Sequence, residues 1–250
     1  MPLDLPRIRG LCFDIDGTLA DTDDHLVQQL ARLLDRLPFL SGREAERLAR
    51  RTVMRATPPV NDAYGLLDRL HLDAPVMRLR RQVTRLRRRN LRATDENPHD
   101  MMAGVQEMLK KLSARYPMST ISTGGQERVE RFLDRYKVRG CFAAVVTAQT
   151  TRRMKPHPEA LRHAAEAMGV PPEACLMIGD TTVDIRTGRS AGAQTVGVLC
   201  GFGTQGELER AGADLILKTT SDLLPVLMPA EDKLQQSAEP ATAPGPTAVP

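Results

Sequence analysis

An α/β fold is predicted by the way short apolar runs alternate with amphipathic helical stretches along this chain of 250 residues. Six runs, Arg9 to Phe13, Met118 to Ile121, Ala143 to Thr147, Leu176 to Ile178, Thr195 to Val198 and Asp214 to Leu217, have the length of buried strands. Between most of them lie stretches of 3.6-residue spacing: Gly104 to Arg115, Gln126 to Tyr136, Pro158 to Met168, Asp184 to Ala191 and Gly206 to Ala211. Such alternation predicts a parallel sheet with helices on both faces. A third observation is the segment from about Asp21 to Asn97, helical in pattern and without strand-like alternation, which reads as an inserted all-α lobe. The expected organisation is a core from residues 1–20 and 98–228, a helical insertion at 21–97 and a tail at 229–250.

The first strand ends in the most informative segment, Phe13-Asp14-Ile15-Asp16-Gly17-Thr18. Residues two apart at a strand end face the same side, and the carboxyl ends of parallel strands are where open α/β sheets bind ligands. Two carboxylates placed there suit phosphoryl transfer, one attacking phosphorus while the other handles protons. Alone, Asp-Gly also reads as a plain turn. A calcium loop fits less well, because Gly17 arrives two positions too early for its third oxygen ligand.

The insertion follows at once. Helical spacing runs over Gln28 to Leu37, Gly42 to Ala56, Asp62 to Leu70 and Pro75 to Leu91. From Asp21 to Asn97 there are sixteen Arg against eleven Asp and Glu, whereas the whole chain is only +4, so the insertion carries the basicity. Arg78, Arg81, Arg85, Arg88 and Arg92 form one stripe, and Val76, Leu79, Val83 and Leu86 the apolar stripe of the same helix. A charged stripe opposite an apolar one is the ordinary state of a surface helix, and one or two of these Arg facing the site would grip an anionic substrate. Aromatic residues make up 3% of the chain and Trp is absent, so stacking platforms for nucleic acid are lacking.

Three later segments complete the pattern. Ile121-Ser122-Thr123-Gly124-Gly125 is a strand ending in hydroxyls and two glycines, where O–H and N–H groups can approach an anion. In Lys155-Pro156-His157-Pro158-Glu159 a lone Lys precedes a Pro-marked helix start. The run Cys175 to Ile178 delivers Gly179-Asp180 and then Asp184 four residues on, an oxygen set suited to a hard divalent cation. Each is weak by itself; their order and chemistry support one another.

Together the four segments resemble the haloacid dehalogenase-like superfamily of hydrolases, in its phosphatase branch. The resemblance rests on FDIDGTLADT, ISTGG, KPHPE and the stretch from Val170 to Leu217, which looks like the C-terminal half of phosphoglycolate-phosphatase-type members. It implies a Rossmann-like core and a helical cap over the site. It also implies that Asp14 is the nucleophile and Asp16 the general acid and base. By the same resemblance Thr123, Gly124 and Lys155 bind the phosphoryl group, and Asp14, Asp16 (through its carbonyl) and Asp180 hold Mg²⁺. Asp184 and Thr18 would support them. Gly124 departs from the Asn that many relatives carry, so Ser122 competes with Thr123 for the hydroxyl role.

Within the superfamily, Asp16 argues against dehalogenation, and the absence of Lys between Asp21 and Leu109 argues against the cap-Lys chemistry of phosphonate cleavage. The expected activity is Mg²⁺-dependent hydrolysis of a small anionic phosphate monoester resembling phosphoglycolate. The alternatives left open are a sugar-phosphate mutase, a pyrophosphate or nucleotide phosphatase of the same fold, and a non-catalytic interaction protein. Four widely spaced Cys without a C-x-x-C pair read as free thiols of a reducing compartment. His25, close after the first motif, is within reach of the site entrance, whereas His71, His99, His157 and His163 show no metal spacing. With neither a leader-like apolar region nor a membrane-length run, a cytoplasmic protein, monomer or homodimer, is expected. Residues 229–250, rich in Ala, Pro, Thr and Glu, read as a disordered tail.

Overall fold

A computed structural model of the protein describes residues 3–21 and 100–228. The helical insertion with its Arg stripe, and the tail, lie outside the described residues. The core strands are β1 (Gly10–Phe13), β4 (Met118–Ile121), β5 (Ala144–Val146), β6 (Cys175–Gly179), β7 (Gln194–Val198) and β8 (Leu215–Leu217). They form one sheet in the order β5-β4-β1-β6-β7-β8, with every pairing parallel. This is the Rossmann-like α/β architecture expected. The chain leaves β1 for β4 on one side and later crosses to β6 on the other, which makes the carboxyl edge between β1 and β6 a topological switch point.

Both faces of the sheet are covered, so its central strands are apolar throughout rather than alternating. Leu11 and Phe13 of β1 enter a core with α1 (Val105–Ser113), α2 (Gln126–Arg135) and α6 (Leu223–Leu227). Cys12, pointing the opposite way, joins Ile121, Val146 and Met177 beneath α3 (Glu159–Met168). Buried Val105, Met108, Leu109 and Leu112 follow the 3.6-residue period on α1. On α3 the buried face includes Ala160, Ala164 and Ala165, whose small side chains let the helix lie close to the sheet. Phe13 meets Phe142 edge-on, with centroids 6.3 Å apart and planes at 82°.

Two local features differ from the sequence expectation. The helix expected from Asp184 begins earlier, as α4 (Thr182–Ser190), because Thr181 and Asp184 form a reciprocal capping box and Asp184 is its third helical residue. Likewise α5 (Gln205–Ala211) starts from a box made by Thr204 and Glu207. A short antiparallel ribbon, β2 (Ala20–Asp21) with β3 (Asp100–Met101), also appears, too short to show alternation in sequence. Its pairs Ala20 with Met101 and Asp21 with Asp100 set the described residues on either side of 22–99 next to one another. A bridge between Asp16 and Ala20 keeps this ribbon beside the strand end that carries Asp14.

Cys12 and Cys175 are buried free thiols, while Cys141 and Cys200 are half-buried. No helix among the described residues is long and apolar enough to cross a membrane.

The packing under α3 is measurable at Leu161, which is 0% exposed. Leu161→Ala should cost about 2 to 5 kcal/mol through lost burial and a residual cavity. In a chain of this size that lowers Tm by about 4 to 20 °C in a calorimetric scan. Arg162→Ala, one residue along on the exposed face, should stay within about 0.5 kcal/mol of wild type.

Candidate active site

The carboxyl ends of β1 and β6 and the loop before α3 converge on one buried group of charges. Asp14 N–H donates to the Ile178 carbonyl at 2.9 Å, extending the β1–β6 ladder one residue past the strand and holding Asp14 at the sheet edge. Lys155 Nζ donates to Asp14 Oδ1 at 2.5 Å and to Asp184 Oδ1 at 2.6 Å. All three side chains are at least nine-tenths buried. The other Asp184 oxygen accepts from the Thr181 hydroxyl at 2.6 Å and the Thr181 N–H at 3.1 Å. One carboxylate thus caps α4 and aims the lysine.

Glycines make these close approaches possible. Gly17 has φ +83°, and a Cβ on it would overlap the Asp180 carboxylate. At Gly179 a Cβ would overlap Asp184, so the strand end must be bare for that side chain to fold across it.

Asp180 is fully buried beside the lysine group. Its Oδ1 accepts from the Thr18 hydroxyl at 3.3 Å and its Oδ2 from the Phe202 N–H at 2.8 Å. Thr18 is itself held through its carbonyl by the Thr220 hydroxyl at 2.6 Å. One carboxylate oxygen from each of Asp14, Asp180 and Asp184 lies within 4.8 Å of the others. Lys155 is bonded to two of these three.

Burial pushes the Asp14 carboxyl up, Lys155 pulls it down, and the charges of Asp184 and Asp16 add to the rise, leaving it at about 7. For Lys155, burial opposes the charged form, but Asp14 and Asp184 outweigh it and hold the ammonium well above its ordinary value. A single ammonium shared by two carboxylates in a dry site leaves negative charge over, and the proton affinity of Asp14 carries it. Such an oxygen set, with surplus charge at a switch point, fits a hard divalent cation.

The remaining expected residues are placed differently. Asp16 is half-buried, and both of its oxygens are taken by Arg128, at 2.8 Å from Nη1 and 2.5 Å from Nη2. Its carboxylate is paired with Arg128 and is not one of the three that cluster at Asp14, Asp180 and Asp184. Gly124 N–H donates to the buried Ser122 hydroxyl at 3.0 Å, whereas Thr123 is exposed. Ser122, Thr123, Thr147, Thr151, Met154 and Lys155 line a small pocket beside the lysine.

The structure therefore brings Asp14, Thr18, Lys155, Asp180 and Asp184 together, with Ser122 more buried than Thr123. Arg128 and the Phe202 N–H were not singled out in the sequence. For Arg128 there was a signal: a cation in the first turn of α2 stands against the helix dipole and needs another reason to be there.

Over residues 11–198 the chain matches the family of haloacid dehalogenase-like hydrolases. It belongs to that family. Among curated proteins, the pyrophosphatase PpaX of Bacillus mycoides is 29% identical over 233 residues, spanning 88% of this chain and 97% of the relative. A predicted phosphoglycolate phosphatase from Haemophilus somnus shares the fold with a TM-score of 0.58 at 21% identity, covering 88% of this chain and 98% of that one. A haloacid dehalogenase family hydrolase from Deinococcus radiodurans, crystallised with phosphate and sodium, has a TM-score of 0.62 at 21% identity, over 91% and 97% of the two chains. This chain is thus a haloacid dehalogenase-like hydrolase with the family's α/β core.

The raised Asp14 carboxyl makes the stability of the chelated protein depend on pH. Folded Asp14 holds its proton up to about 7, against 3.8 for the unperturbed group. Its stabilising share is complete below the lower value and lost as pH rises through the higher one. In EDTA, the Tm of wild type should fall relative to Asp14→Asn between those two values and level off above them. Parallel curves for the two proteins would refute this electrostatic account.

Proposed function

We propose that this hydrolase is a divalent-metal-dependent phosphatase that acts on a small anionic phosphate monoester, of the phosphoglycolate kind, through an aspartyl-phosphate. The observation that carries the reading is the buried Lys155 bridging Asp14 and Asp184 beside Asp180 at the switch point. Asp14 Oδ attacks phosphorus in line, forming an O–P bond as the bond to the leaving oxygen breaks. Asp16 gives a proton to that oxygen, then takes one from the water that attacks phosphorus in the second step as the Asp14 O–P bond breaks and phosphate leaves. Lys155, Ser122 or Thr123 and the N–H of Gly124 bind phosphoryl oxygens, and Asp184 keeps Lys155 aimed.

The Asp14 and Asp180 carboxylates and the Asp16 carbonyl would hold the cation, Mg²⁺ by family habit. When bound, it supplies charge neutralisation for the nucleophile and the phosphoryl group. The insertion at 21–97 acts as a helical cap that closes over the site and excludes water. The 29% identity to pyrophosphatases supports a second reading, in which the leaving group is itself a phosphate.

A screen of phosphate release tests both readings. Phosphoglycolate and pyrophosphate should be favoured over 2-hydroxyethyl phosphate, because a charge-assisted hydrogen bond to the leaving group is worth about 1.5 to 3 kcal/mol, or about 10- to 100-fold in kcat/KM. Excess EDTA should stop release and Mg²⁺ restore it. Asp14→Asn should abolish turnover in a folded protein. Release that persists in chelator or in Asp14→Asn would overturn the mechanism.

A further inference from the structure

The phosphatase scheme uses Asp16 but gives no role to Arg128, which holds it. Both Asp16 oxygens accept from one guanidinium, so in this arrangement neither oxygen is open to a leaving group. The pair is also unlike its neighbours in depth. The Arg128 and Asp16 side chains are 36% and 28% exposed, against 5% and 9% for Lys155 and Asp14. A partly exposed pair is screened by solvent, so exchanging one carboxylate partner for another costs little.

Arg128 is placed by Gly124. A Cβ on that residue would overlap Arg128 Nη2, so glycine there lets the guanidinium lie across the turn after β4. It reaches from the Ser122–Gly124 turn to the Asp16 carboxylate, and a substrate's leaving group must pass this space to meet Asp16. A planar fork that already binds one carboxylate in bidentate fashion is suited to bind another, or a phosphate.

We infer that Arg128 is the specificity residue for the anionic part of the leaving group: it exchanges Asp16 for the carboxylate or second phosphate of the substrate, and the exchange frees Asp16 to face the leaving oxygen. The inference rests on the phosphatase reading above and names what that site selects. A neutral leaving group offers the guanidinium no replacement, so Asp16 stays clamped. Selection for anionic substrates then comes from the core, at Arg128, whatever the insertion adds.

The test measures kcat/KM for phosphoglycolate and for 2-hydroxyethyl phosphate, which has a neutral hydroxyl in place of the carboxylate. For wild type the ratio should be about 10 to 100. Arg128→Ala and Arg128→Gln should bring it to within about threefold of unity, and Arg128→Lys, which keeps charge but not the fork, should lie between. Gly124→Ala, which displaces the guanidinium without deleting it, should lower the ratio too. If Arg128 only braced Asp16, both substrates would lose rate in proportion and the ratio would stay at its wild-type value, which would overturn the inference. Circular dichroism confirms that each variant folds. Absence of phosphate release from every compound by wild type would instead overturn the phosphatase reading itself.

Discussion

Three segments far apart in sequence meet at the ammonium of Lys155, and the rest of the site is arranged around that meeting. Asp14 follows β1, Lys155 lies in the loop before α3, and Asp184 sits in the first turn of α4. A buried charge without a partner is costly, so each of the three demands the others. The triad adds little net stability, since the desolvation of its members offsets their attraction. Its effect is geometric, because it permits one arrangement of two strand ends and one loop. The sheet then supplies rigidity: Asp14 is locked in register by its own N–H on Ile178, and Asp184 by its cap on Thr181.

Charge imbalance follows from this arrangement. One lysine serves two carboxylates, and Asp180 adds a third within reach. The raised Asp14 carboxyl expresses the surplus while no further cation is present. Outside this dry centre the Asp16–Arg128 pair is more exposed to solvent. The deep triad is dry and the Asp16–Arg128 pair is reached by solvent, so the two differ in how strongly their charges interact.

The fold is shared with hydrolases at about one-fifth sequence identity, and a shared fold sets where a site forms rather than what it takes. In this chain the switch point between β1 and β6 provides the place. After β4, a Cβ on Gly124 would meet Arg128 Nη2, so the bare backbone there lets the guanidinium lie across the turn.

Sequence alone determined the α/β class, the six core strands to within a residue or two, and most of the charged site. These are legible because buried parallel strands are short continuous apolar runs, and because phosphoryl chemistry needs acidic residues and glycine at strand ends. Asp14, Asp180, Asp184 and Lys155 stand in the sequence beside such signals. Tertiary structure decided the rest. That Asp184 binds Lys155 depends on the crossing from β5 through α3 to β6, which no local spacing encodes. That Ser122 is buried and Thr123 exposed depends on where the β4 backbone turns. The Asp16–Arg128 pair spans 112 residues, and its residues become partners only when β1 and β4 lie side by side; local patterns carry periodicity and turn chemistry, whereas contacts between distant charges are set by strand order.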